Sequence, residues 1–511
     1  MSTLAAAHFP RTELMLALPE ERSYHILIVV GVAAAAALGL RAPLWPAWLV
    51  ASCLVLMGLS LLSLTSAICL FLLLAPLNYW FRNAAPSSIP LSGARSIWLT
   101  IIVIGWLFAM SRRSSGLPKG ADIIALLIFV AIGLVKMVSS GSLLVGFLGF
   151  REIAAPAMIY FAVRWTVSTS PTSVTRILRY LLCATVAILV FQLLWYNDYI
   201  MIDVIWNSAR RHARTGVIGG GAGRTVMGHL FERMNSIIGG GPSNVGIFLG
   251  AGMWLAVGTA LRQRQSVPRK LLLFTTAIAL GYGSFLSLSR SVVVLTFGFL
   301  ALYAIASHVS ITTRTVGVAL GSVLFVGVVL GTAFSNITLV DTIRQDAITW
   351  IGRIPTGVEA IFGGPFETAG GRLARLQVEH GFVDAGWVTI WAQLGLPGVL
   401  AMIVFLGVFG RACWVLARGV RGSDLPPELQ HLGLACAAVA LGLLMGSAHT
   451  AIIMRGGSDI MFYTLTACAI ALARQARGMD GTAPAPDAPL RRDPWSAPAR
   501  GGLYYVRPRE G

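Results

Sequence analysis

Charge is what this sequence has least of. Only 12% of its 511 residues are charged, and only 21 are Asp or Glu, whereas a water-soluble domain carries about 25% charged residues. A solvated surface for so long a chain cannot be built from so few ions, which argues against a string of soluble domains. Several motifs are absent as well. There is no Walker phosphate loop, no His-Glu-x-x-His and no Asp-x-Asp of the nucleotide-sugar kind. Those absences suit an enzyme facing away from the nucleotide pool. The six cysteines, Cys53, Cys69, Cys183, Cys413, Cys436 and Cys468, all sit in apolar runs without a C-x-x-C pair. They read as small buried hydrophobes rather than a disulfide or metal set. Residues 1–22 are mixed in character and show no signal-peptide pattern.

What the sequence has in quantity is apolar length. The hydrophobic share is 56% and the mean hydropathy is +0.76. About 20 residues of helix span a hydrocarbon core, and many runs reach that length. The expected fold is all-α, a polytopic transmembrane helical bundle of about 12–14 spans with two large periplasmic loops. Runs fall near 25–40, 46–63, 65–81, 95–111, 122–138, 152–167, 174–195, 243–261, 270–287, 291–307, 315–334, 387–410, 431–453 and 459–473. The first three and the run at 152–167 leave room for a merged or re-entrant pair. Residues 1–24 form a cytoplasmic N-terminal segment and 25–473 the membrane domain. The tail 474–511, rich in Pro, Ala, Gly, Arg and Asp, is expected to be disordered and cytoplasmic.

The net charge of +18 points to topology rather than to nucleic acid. It concentrates in short connectors, at Arg112, Arg113 and Lys119, at Arg262, Arg264, Arg269 and Lys270, and at Arg411, Arg418 and Arg421. The positive-inside rule puts such clusters in the cytoplasm. With fourteen spans all of them fall inside, both termini are cytoplasmic, and loops 197–242 and 335–386 fall outside. The expected location is a bacterial inner membrane. No basic soluble domain accompanies the charge, so no nucleic-acid partner is expected.

Within the spans the main ionisable residues are Lys136, Arg164 and His449. The first two are expected to snorkel to a boundary, and His449 to hydrogen-bond between helices. The scarcity of charge within the bilayer weighs against an ion-coupled transporter. The two long loops are richer: Arg210, Arg211, His212, Arg214 and Arg224 in the first, Arg344, Arg353, Arg372, Arg375, Glu379, His380 and Asp384 in the second. Arginine on a translocated face runs against the positive-inside bias. Its fork pairs bidentately with phosphate oxygens, so a lipid-linked diphosphate is one reading and a solvated, self-balanced loop the other.

Four stretches carry a resemblance. They are Gly241-Pro242-Ser243-Asn244, Phe285-Leu286-Ser287-Leu288-Ser289-Arg290-Ser291, Ile361-Phe362-Gly363-Gly364-Pro365, and Asp384-Ala385-Gly386-Trp387 followed by Gln393-Leu394-Gly395-Leu396-Pro397-Gly398. From Asn244 onward the chain resembles the O-antigen ligase / Wzy-type polysaccharide polymerase superfamily of bacterial membrane glycosyltransferases. Ligase-like members commonly have His-Asn or His-Ser where this chain has Asp384-Ala385, which leans the resemblance towards a polymerase. Some polymerases of this kind show Arg-x10-Gly in both outer loops, and Arg210 with Gly221 and Arg353 with Gly364 repeat that spacing.

The resemblance implies an undecaprenyl-diphosphate-linked glycan as donor, a sugar hydroxyl as acceptor, and membrane lipid as surroundings. Chain-length regulator or export proteins are the implied partners. Arg290, Arg210, Arg211, Arg353 and Asn244 would bind the diphosphate or substrate, and His380, Asp384 or Glu379 would serve as the base. With arginines on the leaving group, neither metal nor cofactor is required. The expected function is polymerisation of lipid-linked repeat units on the periplasmic face. A ligase passing glycan to lipid A core or another acceptor is the alternative, and a flippase or exporter the rival from another class.

Overall fold

The computed structural model describes residues 45–77, 94–113, 117–196, 223–226, 229–232, 242–262, 265–287, 289, 291–306, 312, 315, 319, 357–364, 366, 386–420, 425–447 and 457–479. The architecture is helical. In chain order it comprises α1 (Trp45–Leu62), α2 (Leu64–Leu74), α3 (Ala94–Arg113), α4 (Ala121–Ser139), α5 (Leu143–Ile153), α6 (Met158–Thr169) and α7 (Ser173–Tyr196). Then follow α8 (Pro242–Ala260), α9 (Val267–Leu286), α10 (Ser291–Ile305), α11 (Gly357–Phe362), α12 (Gly386–Arg418), α13 (Pro427–Ser447) and α14 (Ser458–Ala476). A short antiparallel hairpin of β1 (Gly223–Val226) and β2 (His229–Glu232), registered from Gly223 opposite Glu232 to Val226 opposite His229, lies in the stretch expected to be the first long loop.

Local chemistry sets many of the helix ends. Ser63 caps α2 by accepting the Ser66 N–H. Pro242 opens α8, at a position where its missing N–H would have no helical partner anyway. Asp122 in the first turn of α4 and Lys136 in its last, like Asp459 and Arg474 of α14, match the helix dipole. Between α5 and α6 the chain turns through a 3-10 segment at Ala155–Ala157, and the two stretches 145–153 and 155–169 meet at 43°. The expected run at 152–167 is therefore one limb of a bent pair.

The packing is graded from inside to outside. Helices α8, α13 and α14 are buried on nearly every side, the mark of central helices. The outer helices turn large apolar side chains outward, Val135 at 68% exposure and Ile278 at 69% among them. A water-soluble molecule rarely exposes so much contiguous apolar surface. Of the cysteines, Cys69, Cys413, Cys436 and Cys468 are buried as expected, but Cys53 is half-buried and Cys183 exposed, because each lies on an outward-turning side of its helix.

Among the described residues five stretches are long and apolar enough to cross a membrane: 94–112, 121–139, 173–193, 389–418 and 427–447, or six if the bent pair counts as one span. Shorter apolar helices cover 49–62, 64–74, 244–260 and 291–305. The runs at 25–40 and most of 315–334 lie outside the described residues.

Contacts between helix ends define two faces. At one face the first turns of α3 and α14 meet through Arg95 and Asp459. The last turn of α9 meets the first of α8 there, where Ser284 donates to Gly246 O at 2.7 Å. Toward the opposite face the C-terminal half of α6 meets the first turn of α4 through Arg164 and Asp122, and Arg262 after α8 reaches Glu428 at the start of α13 at 2.7 Å. We call these the first and second faces. Long helices that follow one another directly run in alternating directions between them; α10 and α12, separated by residues 307–356, run the same way.

Candidate functional site

The first face gathers the described parts of the motif stretches singled out above, and it gathers them in pairs. Asn244 is buried in the first turn of α8. Two residues on, Gly246 lies against the turn that follows α9: a Cβ placed there would stand 3.0 Å from Ser287 Cβ and 2.9 Å from Ser289 Cβ. Glycine at this position lets the Asn244 stretch and the Ser287–Ser291 stretch close on each other. Ser287, Ser289 and Ser291 are all buried, and the Ser289 hydroxyl has no hydrogen-bond partner among the described residues.

The other two stretches pack together as tightly. Gly364 N–H donates to Ala392 O at 2.6 Å, and Trp391 Nε1 donates to Ala360 O at 2.9 Å. Gly363 and Gly395 both have positive φ, +75° and +66°. A Cβ on either would come within 2.6 Å of the other's backbone nitrogen. Only glycine fits both demands. Gly395 also interrupts α12, and Pro397 follows it two residues into the next helical segment. Lys136 Nζ, from the last turn of α4, donates to Gly363 O at 2.8 Å. Lys136 thus does not simply snorkel; it tethers the glycine turn of α11 to α4.

A third element of this face is the pair of Arg95 and Asp459. The guanidinium Nη1 lies 2.9 Å from Asp459 Oδ2, and Oδ1 accepts from Gly457 N–H at 3.0 Å and Ile460 N–H at 2.7 Å. Asp459 is fully buried. Three donors converge on the carboxylate, so the arginine is held in one place rather than swinging in solvent. Next to it, the buried Ser458 hydroxyl has no hydrogen-bond partner among the described residues. Beside this fixed ion pair the face offers a buried amide and unmet hydroxyls, groups able to receive hydroxylated chemistry.

Near the second face lies a separate, closed cluster. Asp122 Oδ2 accepts from Tyr160 OH at 2.6 Å and stands 3.4 Å from Arg164 Nε. Arg164 also hydrogen-bonds Ser168 Oγ one turn on. All three of Asp122, Tyr160 and Arg164 are fully buried. The expectation that Arg164 snorkels is overturned: it turns inward because a buried carboxylate awaits it. Gln475 of α14 ties into the same corner by donating to Val167 O at 3.0 Å and Ser168 O at 2.9 Å.

Of the eight site residues expected from sequence, the structure places Asn244. Arg290, Arg210, Arg211, Arg353, Glu379, His380 and Asp384 lie outside the described residues, as does His449. The interhelical hydrogen-bonding histidine that is described is His431, whose Nε2 lies 3.0 Å from Gly258 O. A carbonyl can only accept, so Nε2 carries the proton. Arg95 and Asp459 were missed because each falls on the first residue or so of an apolar run, where a charge reads as the end of a span. Among the described residues no group of three or more His, Cys, Asp or Glu side chains could hold a metal ion. No protein-family model matches the chain, and no curated protein matches it.

Proposed function

We propose that the chain is an inner-membrane glycosyltransferase that polymerises diphosphate-lipid-linked oligosaccharide repeats at the first face. The observation that carries this reading is the pairing of the four family-like stretches. They are far apart in sequence, yet Gly246 closes on Ser287 and Ser289, and Gly363 on Gly395, on one face of the bundle. This face is the periplasmic one if the basic ends of α3, α12 and α14 lie in the cytoplasm, as the positive-inside rule requires.

In the proposed reaction an acceptor sugar hydroxyl attacks the anomeric carbon of the donor. The new glycosidic bond forms as the carbon–oxygen bond to phosphate breaks, and the diphosphate lipid leaves. The hydroxyl proton goes to a base drawn from His380, Asp384 and Glu379. Negative charge developing on the leaving group would be met by arginines. Arg290 is the first of these, since it stands in sequence between the buried Ser289 and Ser291. Arg210, Arg211 and Arg353 follow, with Asn244 as a neutral contact.

The test uses the purified chain in detergent with a lipid-linked repeat unit. Chain growth with release of lipid diphosphate is the expected result. Arg290→Ala should abolish growth, a loss of more than about a hundredfold by analogy with removal of a single oxyanion donor, at unchanged protein abundance. Full-length polymer from that variant would overturn the assignment of Arg290. Product formed only after lipid A core is added would assign a ligase instead.

A further inference from the structure

Helix α11 carries an apolar face that the proposed reaction does not use. Val358, Ile361 and Phe362 are 72%, 51% and 63% exposed, and their spacing gathers them on one side of the helix. The opposite side is docked, since Ala360 O accepts from Trp391 and Gly363 closes on Gly395. Past α11 the chain turns back into the bundle, where Phe366 is buried against Gly149 of α5. The depth of α11 follows from α4. That helix has 19 residues, and roughly 20 residues of helix fill a hydrocarbon core, so its last turn stands at the edge of the core. Lys136 in that turn donates to Gly363 O at 2.8 Å, and the neighbouring Val135 and Val138 face outward. The contact with α12 gives the direction. A Cβ on Gly395 would stand 2.5 Å from Ile361 O, and from there the exposed residues Leu396, Leu400 and Ile403 continue along α12 at helical spacing.

We propose that α11 is a lipid anchor, with Val358, Ile361 and Phe362 inserted among the acyl chains of the first-face leaflet. Continuity selects this occupant. The face of α11 extends the outward apolar stripe of α12 and meets α4 where the valines of that helix also face outward. The lipid that covers those two spans therefore covers α11 as well, and takes three large apolar side chains out of water. Glu359 lies to one side of the face rather than within it, and it interacts electrostatically with Lys136. Both can keep their charges at the headgroup level while their stems lie against apolar surface. The anchor pins the stretch 335–386 at mid-length, in addition to its two ends. The inference rests on the reading of the chain as membrane-embedded, but not on the reaction proposed above.

The experiment places a nitroxide label on single cysteines of the full-length chain in liposomes of phosphatidylethanolamine and phosphatidylglycerol. Cys53→Ala and Cys183→Ala remove the two native thiols that are not buried. Collision of the label with oxygen, which dissolves in lipid, is compared with collision with a water-soluble nickel chelate. Val358→Cys, Ile361→Cys and Phe362→Cys should each favour oxygen, as should Val135→Cys on α4. Ser142→Cys, in the exposed connector after α4, should favour the chelate. All the labelled positions are exposed, so the variants should fold, and an unchanged unfolding temperature checks that. Labels on α11 that favour the chelate while Val135 favours oxygen would overturn the anchor. Labels on α11 shielded from both reagents would overturn it too, because a second copy or another protein would then cover the face. A chelate-accessible label at Val135 would instead overturn the membrane reading itself.

Discussion

Asp122 and Arg164 show how much one buried pair can decide. Each is fully buried, and the carboxylate is also the acceptor for Tyr160 OH at 2.6 Å. Burying two charges is costly, and the cost is offset only while both are present. Arg164→Ala should therefore destabilise the protein by about 3–5 kcal/mol, because it strands a carboxylate. The apolar double variant Asp122→Leu/Arg164→Met should recover most of that loss. Thermal unfolding of the parent, the two single variants and the double variant in detergent measures the coupling. Losses that simply add would show that the pair is not coupled. Neither role was legible in the sequence. Asp122 drew no reading because it only opens an apolar run, and Arg164 looked like a snorkelling residue because hydropathy carries no direction. Burial of a charge depends on which partner the fold brings to it, and that partner is 42 positions away, by subtraction of the two residue numbers.

Helices were more legible than residues, since hydrophobic length is a property of the local sequence. The runs at 95–111, 122–138 and 243–261 correspond to α3, α4 and α8 within a few residues. What hydropathy could not show is interruption. Leu394 and Leu396 on either side keep the run apolar, so the break at Gly395 leaves little trace in hydropathy, although the motif containing it stood out by resemblance. The break has a structural job: it lets α11 lie against α12 through backbone contacts. Gly395→Ala would put a side chain at φ +66°, ψ −169°, a region essentially reserved for glycine and costing about 1–3 kcal/mol. It would also press Cβ to 2.5 Å from Gly363 N. The expected outcome is local release of α11. Hydrogen exchange should rise in 357–364 while 458–476, in the central helix α14, stays protected. Exchange rising equally in both would mean global destabilisation and would refute the local latch. A comparable close approach joins α10 and α13, where a Cβ on Gly298 would meet Gly442 Cα at 2.6 Å. Gly298→Val should separate those helices and lower the unfolding temperature more than Gly407→Val, which meets open space.

Across the whole molecule, the charges and helix directions together predict which side is which. Lys119, Arg262, Arg269, Lys270, Arg411, Arg418, Arg474 and Arg477 all lie at the second face or in its connectors, whereas the first face among the described residues has Arg95, Lys136 and Arg151. Of those three, Arg95 is neutralised by Asp459, Arg151 lies 3.5 Å from Glu152, and Lys136 is bound to Gly363 O. Among the described residues cations are thus more numerous at one face, as the positive-inside rule requires of a cytoplasmic one. This arrangement was visible in the sequence as basic connectors, because topology depends on local charge, but the pairing of Arg95 with Asp459 opposite became clear only once the partner was placed. Single cysteines make the orientation measurable. Ser142, between α4 and α5, and Leu117, between α3 and α4, are both exposed and belong to opposite faces. In intact cells a membrane-impermeant maleimide should label Ser142→Cys strongly and leave Leu117→Cys unlabelled until the membrane is opened. The native thiols are a small background, since four of the six are buried within the bundle. The reverse pattern would put the first face in the cytoplasm, where no lipid-linked glycan awaits polymerisation, and would remove the proposed reaction along with the orientation. Equal labelling of both before opening would mean that the helices do not cross the bilayer as drawn.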